Sequence, residues 1–292
     1  PFIVDYYILL DDDSQQPTGY KNADRLAALN FGSACDIMLY GRTLYRDGDW
    51  NTLCLPFNIS GEEIEYEYYN NPLHGATIMY FDDRNWHDTG SEVSYSYIDG
   101  YHRSGEIDAD GSLHLYFDSY DRIDGGVPYI VKWETTGDPI VNPVFHNVVV
   151  ANTTPYFDST EEGKNPQTGP GNVTFRGTYS SIDYESDNHS ILFLGMNNTL
   201  YWPKEGAHIG AFRAYFELGN GITVGEEASQ VRSFNLGFGE GSDETGIDSM
   251  HNSECLMLNE ADAWYSLDGR KLDGKPSAKG MYIKNGKKVV IK

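Results

Sequence analysis

The sequence is short of cysteine, of basic residues and of helical periodicity, and each shortage narrows the field. Of 292 residues three are cysteine, Cys35, Cys54 and Cys255, and their spacing makes no zinc motif. Cys35 and Cys54 admit two readings: neighbouring strands would put them within reach of a disulfide, whereas their apolar surroundings suit buried free thiols. Lysine and arginine number 21 against 44 aspartates and glutamates, a formal net charge of −23. So acidic a chain repels nucleic acid and anionic membranes and attracts cations or basic partners. No stretch approaches the roughly 20 apolar residues of a membrane helix. No segment keeps apolar spacing at three and four over a dozen residues, which argues against an α/β fold built on crossover helices. A Gly-x-Ser-x-Gly elbow and a Gly-x-x-x-x-Gly-Lys loop are both missing. The chain opens on Pro1, which fits a mature or trimmed form, so the lack of a visible leader carries no weight.

What the chain does hold is aromatics and turns: 22 Tyr, 13 Phe, 5 Trp and 31 Gly. That bias suits strands joined by tight turns. Residues 41–57 organise the rest. A strand pattern runs over 35–45, with Cys35, Ile37 and Leu39 alternating against Asp36, Met38 and Tyr40. Asp47, Gly48 and Asp49 make a turn, and a second apolar strand over 50–55 stops at Pro56. An Asp-Gly pair between two apolar runs predicts a hairpin. Residues 25–30 hold one helical turn. The acidic, tyrosine-rich stretch 61–71 reads as an edge strand or a loop. Further strands are predicted at 76–81, 93–97, 113–117 (with His114 facing solvent), 129–133, 144–150, 173–179, 191–194, 200–202, 212–218 and 232–238.

The expected architecture is all-β: an antiparallel β-sandwich-like body of two packed sheet-forming halves, plus a short C-terminal β-hairpin module. Its parts are an N-terminal extension (1–24), a first half (25–150), a second half (172–238), a linker (239–252) and a tail module (253–292), with a long loop at 152–171 as the seam. The tail is basic where the body is acidic, and it carries a hairpin across Asn285-Gly286.

Chemistry-bearing patterns are sparse. None of the eight histidines sits in a His-Glu-x-x-His array. Asp11, Asp12 and Asp13, and Asp108 with Asp110 before Gly111, offer calcium-type oxygens, but the second pair reads first as a hairpin turn. Glycoside hydrolysis needs two carboxylates roughly 5 to 10 Å apart, and with 44 acidic residues the sequence alone singles out no pair. Exposed aromatics are a better lead, because sugar rings stack on flat aromatic faces. Candidates are Tyr66, Tyr68 and Tyr69, Trp86 beside His87, and Tyr201 with Trp202. Trp86, in a polar stretch, is the best single platform. The competing reading is that a tyrosine-rich sheet buries these rings against one another.

Residues 41–57, Gly-Arg-Thr-Leu-Tyr-Arg-Asp-Gly-Asp-Trp-Asn-Thr-Leu-Cys-Leu-Pro-Phe, resemble a signature of secreted and surface proteins of the Bacteroides–Prevotella group. Later blocks, Leu73 to Thr77, Pro128 to Trp133, Asn142 to Phe145 and Gly210 to Leu218, resemble that family in the same order. Residues 264–292 resemble the sorting tails of such proteins, with Met281 where isoleucine is usual. The resemblance implies export to the extracellular space or outer cell surface, and it brings no catalytic residues and no cofactor. The expectation is a non-catalytic protein of adhesion or of glycan or host-protein binding. A secreted glycoside hydrolase and a purely structural surface module are the alternatives.

Overall fold

A computed structural model describes residues 7–13, 21–29, 32–81, 107, 109, 111–155, 173–195, 198–225 and 231–238, and beyond them short strands at 245–247, 264–265, 271–272, 280–284 and 287–291. The predicted strand at 93–97 lies outside them. Among the described residues strand accounts for 44% and helix for 9%, in several sheets, one of them curled into a half-barrel. In chain order the elements are β1 (Ile8–Asp11), α1 (Asn22–Ala28), β2 (Cys35–Tyr40), β3 (Thr43–Leu44), β4 (Asn51–Cys54), α2 (Gly61–Glu65), a 3₁₀ turn (Glu67–Tyr69), β5 (Thr77–Phe81), β6 (Ser112–Tyr120), β7 (Pro128–Lys132), β8 (Ile140–Val141) and β9 (Val144–Val148). There follow β10 (Val173–Thr178), β11 (Ile182–Asp183), β12 (Ile191–Leu194), β13 (Leu200–Tyr201), β14 (His208–Ile209), β15 (Arg213–Leu218), β16 (Ser233–Phe238), β17 (Thr245–Ile247), β18 (Trp264–Tyr265), β19 (Lys271–Leu272), β20 (Gly280–Lys284) and β21 (Lys287–Ile291).

The largest sheet runs β17-β16-β6-β5-β7-β4, and a four-stranded sheet runs β10-β15-β12-β13. A three-stranded sheet, β1-β2-β9, holds the N-terminal strand, and β3-β8 and β11-β14 are two-stranded. The C-terminal strands pair among themselves as β19-β18-β20-β21. Most neighbours are antiparallel, but β1 runs parallel to β2 and β16 parallel to β6. A parallel pair needs a long connection, and between β6 and β16 the chain builds the whole four-stranded sheet.

That sheet packs β10 and β15 against β4 and β7. Phe81 and Phe117 from one side meet Phe175 and Phe216 from the other, all at most 1% exposed. Phe175 and Phe216 stack at 4.7 Å, and Phe81 meets Phe117 edge-on at 5.4 Å. Ring pairs of this kind add about 0.5–1.5 kcal/mol each beyond area burial. β15 shows why alternation reads well on an ordinary half-buried strand: Ala214, Phe216 and Leu218 face inward while Arg213, Tyr215 and Glu217 are half-exposed. A second cluster gathers Phe57, Tyr129, Phe145, Tyr179 and Phe212.

Several expectations are corrected here. Asp47-Gly48 does turn the chain, with Gly48 at φ +95° and Asp49 N–H donating to Asp47 Oδ1. Its arms, however, do not pair: β3 joins β8 and β4 joins β7. The side-chain amide of Asn51 closes the loop instead, accepting from Tyr45 N–H and donating to Tyr45 C=O, each at 2.8 Å. His114 is 2% exposed, because it lies in Ser112–Leu115, a run of β6 that is buried on both faces. Residues 61–65 and 67–69 are helical, since a capping box starts a turn that a strand cannot accommodate. Cys35 and Cys54 are both free and belong to different sheets.

Polar side chains tie the N-terminal strand to α1 and to residues beside β10 and β15. Asn22, fully buried, accepts from Asp11 N–H and donates to the carbonyls of Asp11 and Tyr179. Asp12 accepts from Arg213, and its carbonyl takes Ala211 N–H at 2.6 Å.

Candidate functional site

The exposed aromatic side chains that the fold brings together are Tyr66, Tyr68 and Tyr69. The local sequence explains their display. Ser60 Oγ accepts from Glu63 N–H, and the Glu63 carboxylate accepts from Ser60 N–H at 2.8 Å, which starts α2. Ile64 is the inward anchor of this short helix, 7% exposed, and its carbonyl takes Gly75 N–H at 3.0 Å. Asn70, at φ +51°, ends the following 3₁₀ turn by donating its N–H to Glu67 C=O. Leu73 is fully buried beneath, and Trp133 Nε1–H clamps the next turn, 71–75, by donating to His74 C=O at 3.0 Å. At the other end Gly61 lies against the 121–124 loop, so close that a Cβ there would stand 2.8 Å from Asp121 O. Ile59 and Ile123 exchange two backbone hydrogen bonds of 2.9 Å beside it.

On this backing the three rings form a ladder. Tyr66 and Tyr68 stack at 5.7 Å and 20°, and Tyr68 and Tyr69 lie 4.3 Å apart. Tyr68 is 74% exposed, Tyr66 44% and Tyr69 39%. Tyr69 O–H donates to Glu62, and its hydrogen bonding with Tyr68, together with the Glu62 charge, pushes its pKa up to about 12. Tyr69 is therefore held as a neutral phenol, and the ladder shares its exposed surface with Glu62, Glu65 and Glu67. Its chemistry is stacking and hydrogen bonding.

The other predicted platforms differ. Trp202 is 8% exposed, stacked on His189 at 4.2 Å and packed on Gly225. Tyr201 is half-buried, lying over Gly195 and beside Phe193. Trp86, Asp108 and Asp110 lie outside the described residues. Asp11 is buried and Asp12 is paired with Arg213, so two of the three adjacent aspartates serve the strand crossing. Among the described residues no three His, Cys, Asp or Glu side chains gather as a metal site, and no helix is long and apolar enough to cross a membrane.

Two carboxyls among the described residues are moved in opposite directions. Burial raises Asp11, while the N–H of Asn147 and then His146 lower Asp36. By register Asp36 faces Tyr7, four residues before Asp11, which is about 13 Å along the strand. A glycosidase pair stands at about 5–9.5 Å, so these two do not make one. A hollow of about 320 Å³ opens beside β10, lined by Thr153, Thr154, Arg176, Thr178, Ser180 and Tyr215, among others. Arg176 there pairs with Glu217.

The sequence reading missed the pedestal. Its signal was Ser60-x-x-Glu63, the capping-box spacing, just ahead of the tyrosines. Comparison with protein-family models, with curated proteins and with solved structures finds no match.

Proposed function

We propose that this chain is a non-catalytic contact protein of the extracellular space or outer cell surface, and that Tyr66, Tyr68 and Tyr69 form its contact face for a glycan or protein partner. One observation carries the reading: Tyr68 stacks on Tyr66 and lies tilted against Tyr69 at 4.3 Å, yet remains 74% exposed. Folding normally hides large rings, and an ordered aromatic surface on a clamped support offers stacking area at little cost in conformational freedom. The body reads as a sandwich of two sheet-forming halves with a C-terminal hairpin module. The resemblance of residues 41–57 and 264–292 to secreted and surface proteins supports export.

The test is an array of glycans and peptides probed with the intact chain and with Tyr68→Ala. The expected result is a reproducible set of retained compounds whose signal falls about tenfold or more in the variant. Retention that is indifferent to Tyr68→Ala would move the contact face elsewhere, with Trp86 the next candidate.

A further inference from the structure

We infer that the Tyr66–Tyr68–Tyr69 face takes a cationic polypeptide segment, one presenting lysine or arginine side chains. This rests on the reading of the ladder as the contact face and names the partner's chemistry. Aromatic faces attract ammonium and guanidinium groups within about 6 Å of the ring centre, and Lys and Arg stems lie along apolar surface while their heads reach out to carboxylates.

The same fold shows the arrangement completed elsewhere. Arg122 lies 4.8 Å over the Tyr120 ring and pairs with Asp124 at 3.2 Å. Lys132 lies 4.9 Å over Trp50 and pairs with Glu134 at 3.0 Å. In each case a ring and a carboxylate hold one cation between them. At the ladder the rings and the carboxylates of Glu62, Glu65 and Glu67 are exposed together. Among the described residues no lysine or arginine pairs with these carboxylates or lies over these rings. Between Arg46 and Arg84 the sequence contains no lysine or arginine. Arg122, whose loop backs onto Gly61, is already held by Asp124 and Asp121. The ladder thus repeats the motif with the cation left for a partner to supply. The net charge of −23 adds long-range attraction for such a partner and repels acidic glycans.

The experiment is titration calorimetry of the intact chain with dodecalysine, hexaglutamate and a neutral hexasaccharide at two salt concentrations. Dodecalysine is expected to bind. Its affinity falls about tenfold or more in Tyr68→Ala and about fivefold in Glu65→Gln/Glu67→Gln, with a shallower salt dependence in the second variant. A control that removes two exposed charges elsewhere, Asp138→Asn/Glu185→Gln, changes it by less than about twofold. All four positions are exposed, and circular dichroism confirms that each variant folds. Equal weakening by the control overturns the inference, since bulk charge then explains the binding, as does an absence of dodecalysine binding. If the hexasaccharide binds and depends on Tyr68 while dodecalysine does not, the cationic partner falls and the contact face stands. If neither these probes nor any array compound responds to Tyr68→Ala, both readings fall.

Discussion

Gly177 on β10 and Cys54 on β4 share one space where the β10-β15-β12-β13 sheet meets the six-stranded sheet: a Cβ on Gly177 would stand 2.8 Å from Cys54 Cβ and overlap its Sγ. Cys54 is fully buried, so the sulfur has nowhere to retreat. Gly177→Ala is expected to cost about 1–3 kcal/mol through overpacking. Cys54→Ala in the same chain should recover part of that loss, a coupling that urea melts of the two single variants and the double variant would measure.

Asn22→Ala tests the N-terminal crossing. The Asn22 amide makes three buried hydrogen bonds of 2.7–2.8 Å, to the N–H and C=O of Asp11 and to Tyr179 C=O. Its removal leaves those peptide groups unpaired, an expected loss of about 2–4 kcal/mol. Hydrogen exchange should speed up at the Asp11 amide, whereas in the wild type that amide is protected.

How far the sequence could be read depended on whether a residue's environment is set locally. The alternation on β15 was legible because one face of that strand is covered and the other is half-exposed. The same rule failed for His114, since Ser112–Leu115 are buried on both faces and alternation assumes that one face is open. Asp47-Gly48 marked a turn correctly but not its partners, because Asn51 closes the loop from a side chain. Tyr66, Tyr68 and Tyr69 could be named as candidates. What displays them, the cap at Ser60 and Glu63 and the inward anchors Ile64 and Leu73, was readable only in part. Trp202 looked equivalent, and only the tertiary neighbours His189 and Gly225 cover it.

Asp36 should make stability depend on acid. Its folded pKa is lowered, first by Asn147 N–H and then by His146. A lowered carboxylate contributes stability that is present above its unfolded pKa of about 3.9 and is lost as pH falls through the folded value. The gap in denaturation midpoint between wild type and Asp36→Ala should therefore be wider at pH 7 than at pH 2.5. A constant gap would show that the pairing contributes nothing.

Cys54 should be inert in the native protein. Burial pushes its thiol well above the ordinary range, so the reactive thiolate is scarce as well as shielded. Iodoacetamide at pH 8 followed by peptide mass mapping should leave Cys54 unlabelled until denaturant is added. Prompt native labelling would contradict the packing of β10 on β4.

The contact face itself is tested most directly by hydroxyl-radical footprinting of the intact chain, with and without the array compound it retains best. In the unbound chain Tyr68, 74% exposed, should be modified far faster than Tyr129 at 1% and Tyr179 at 4%. With the compound bound, modification of Tyr66, Tyr68 and Tyr69 together should fall several-fold, whereas unchanged labelling of all three under saturating compound would contradict the account.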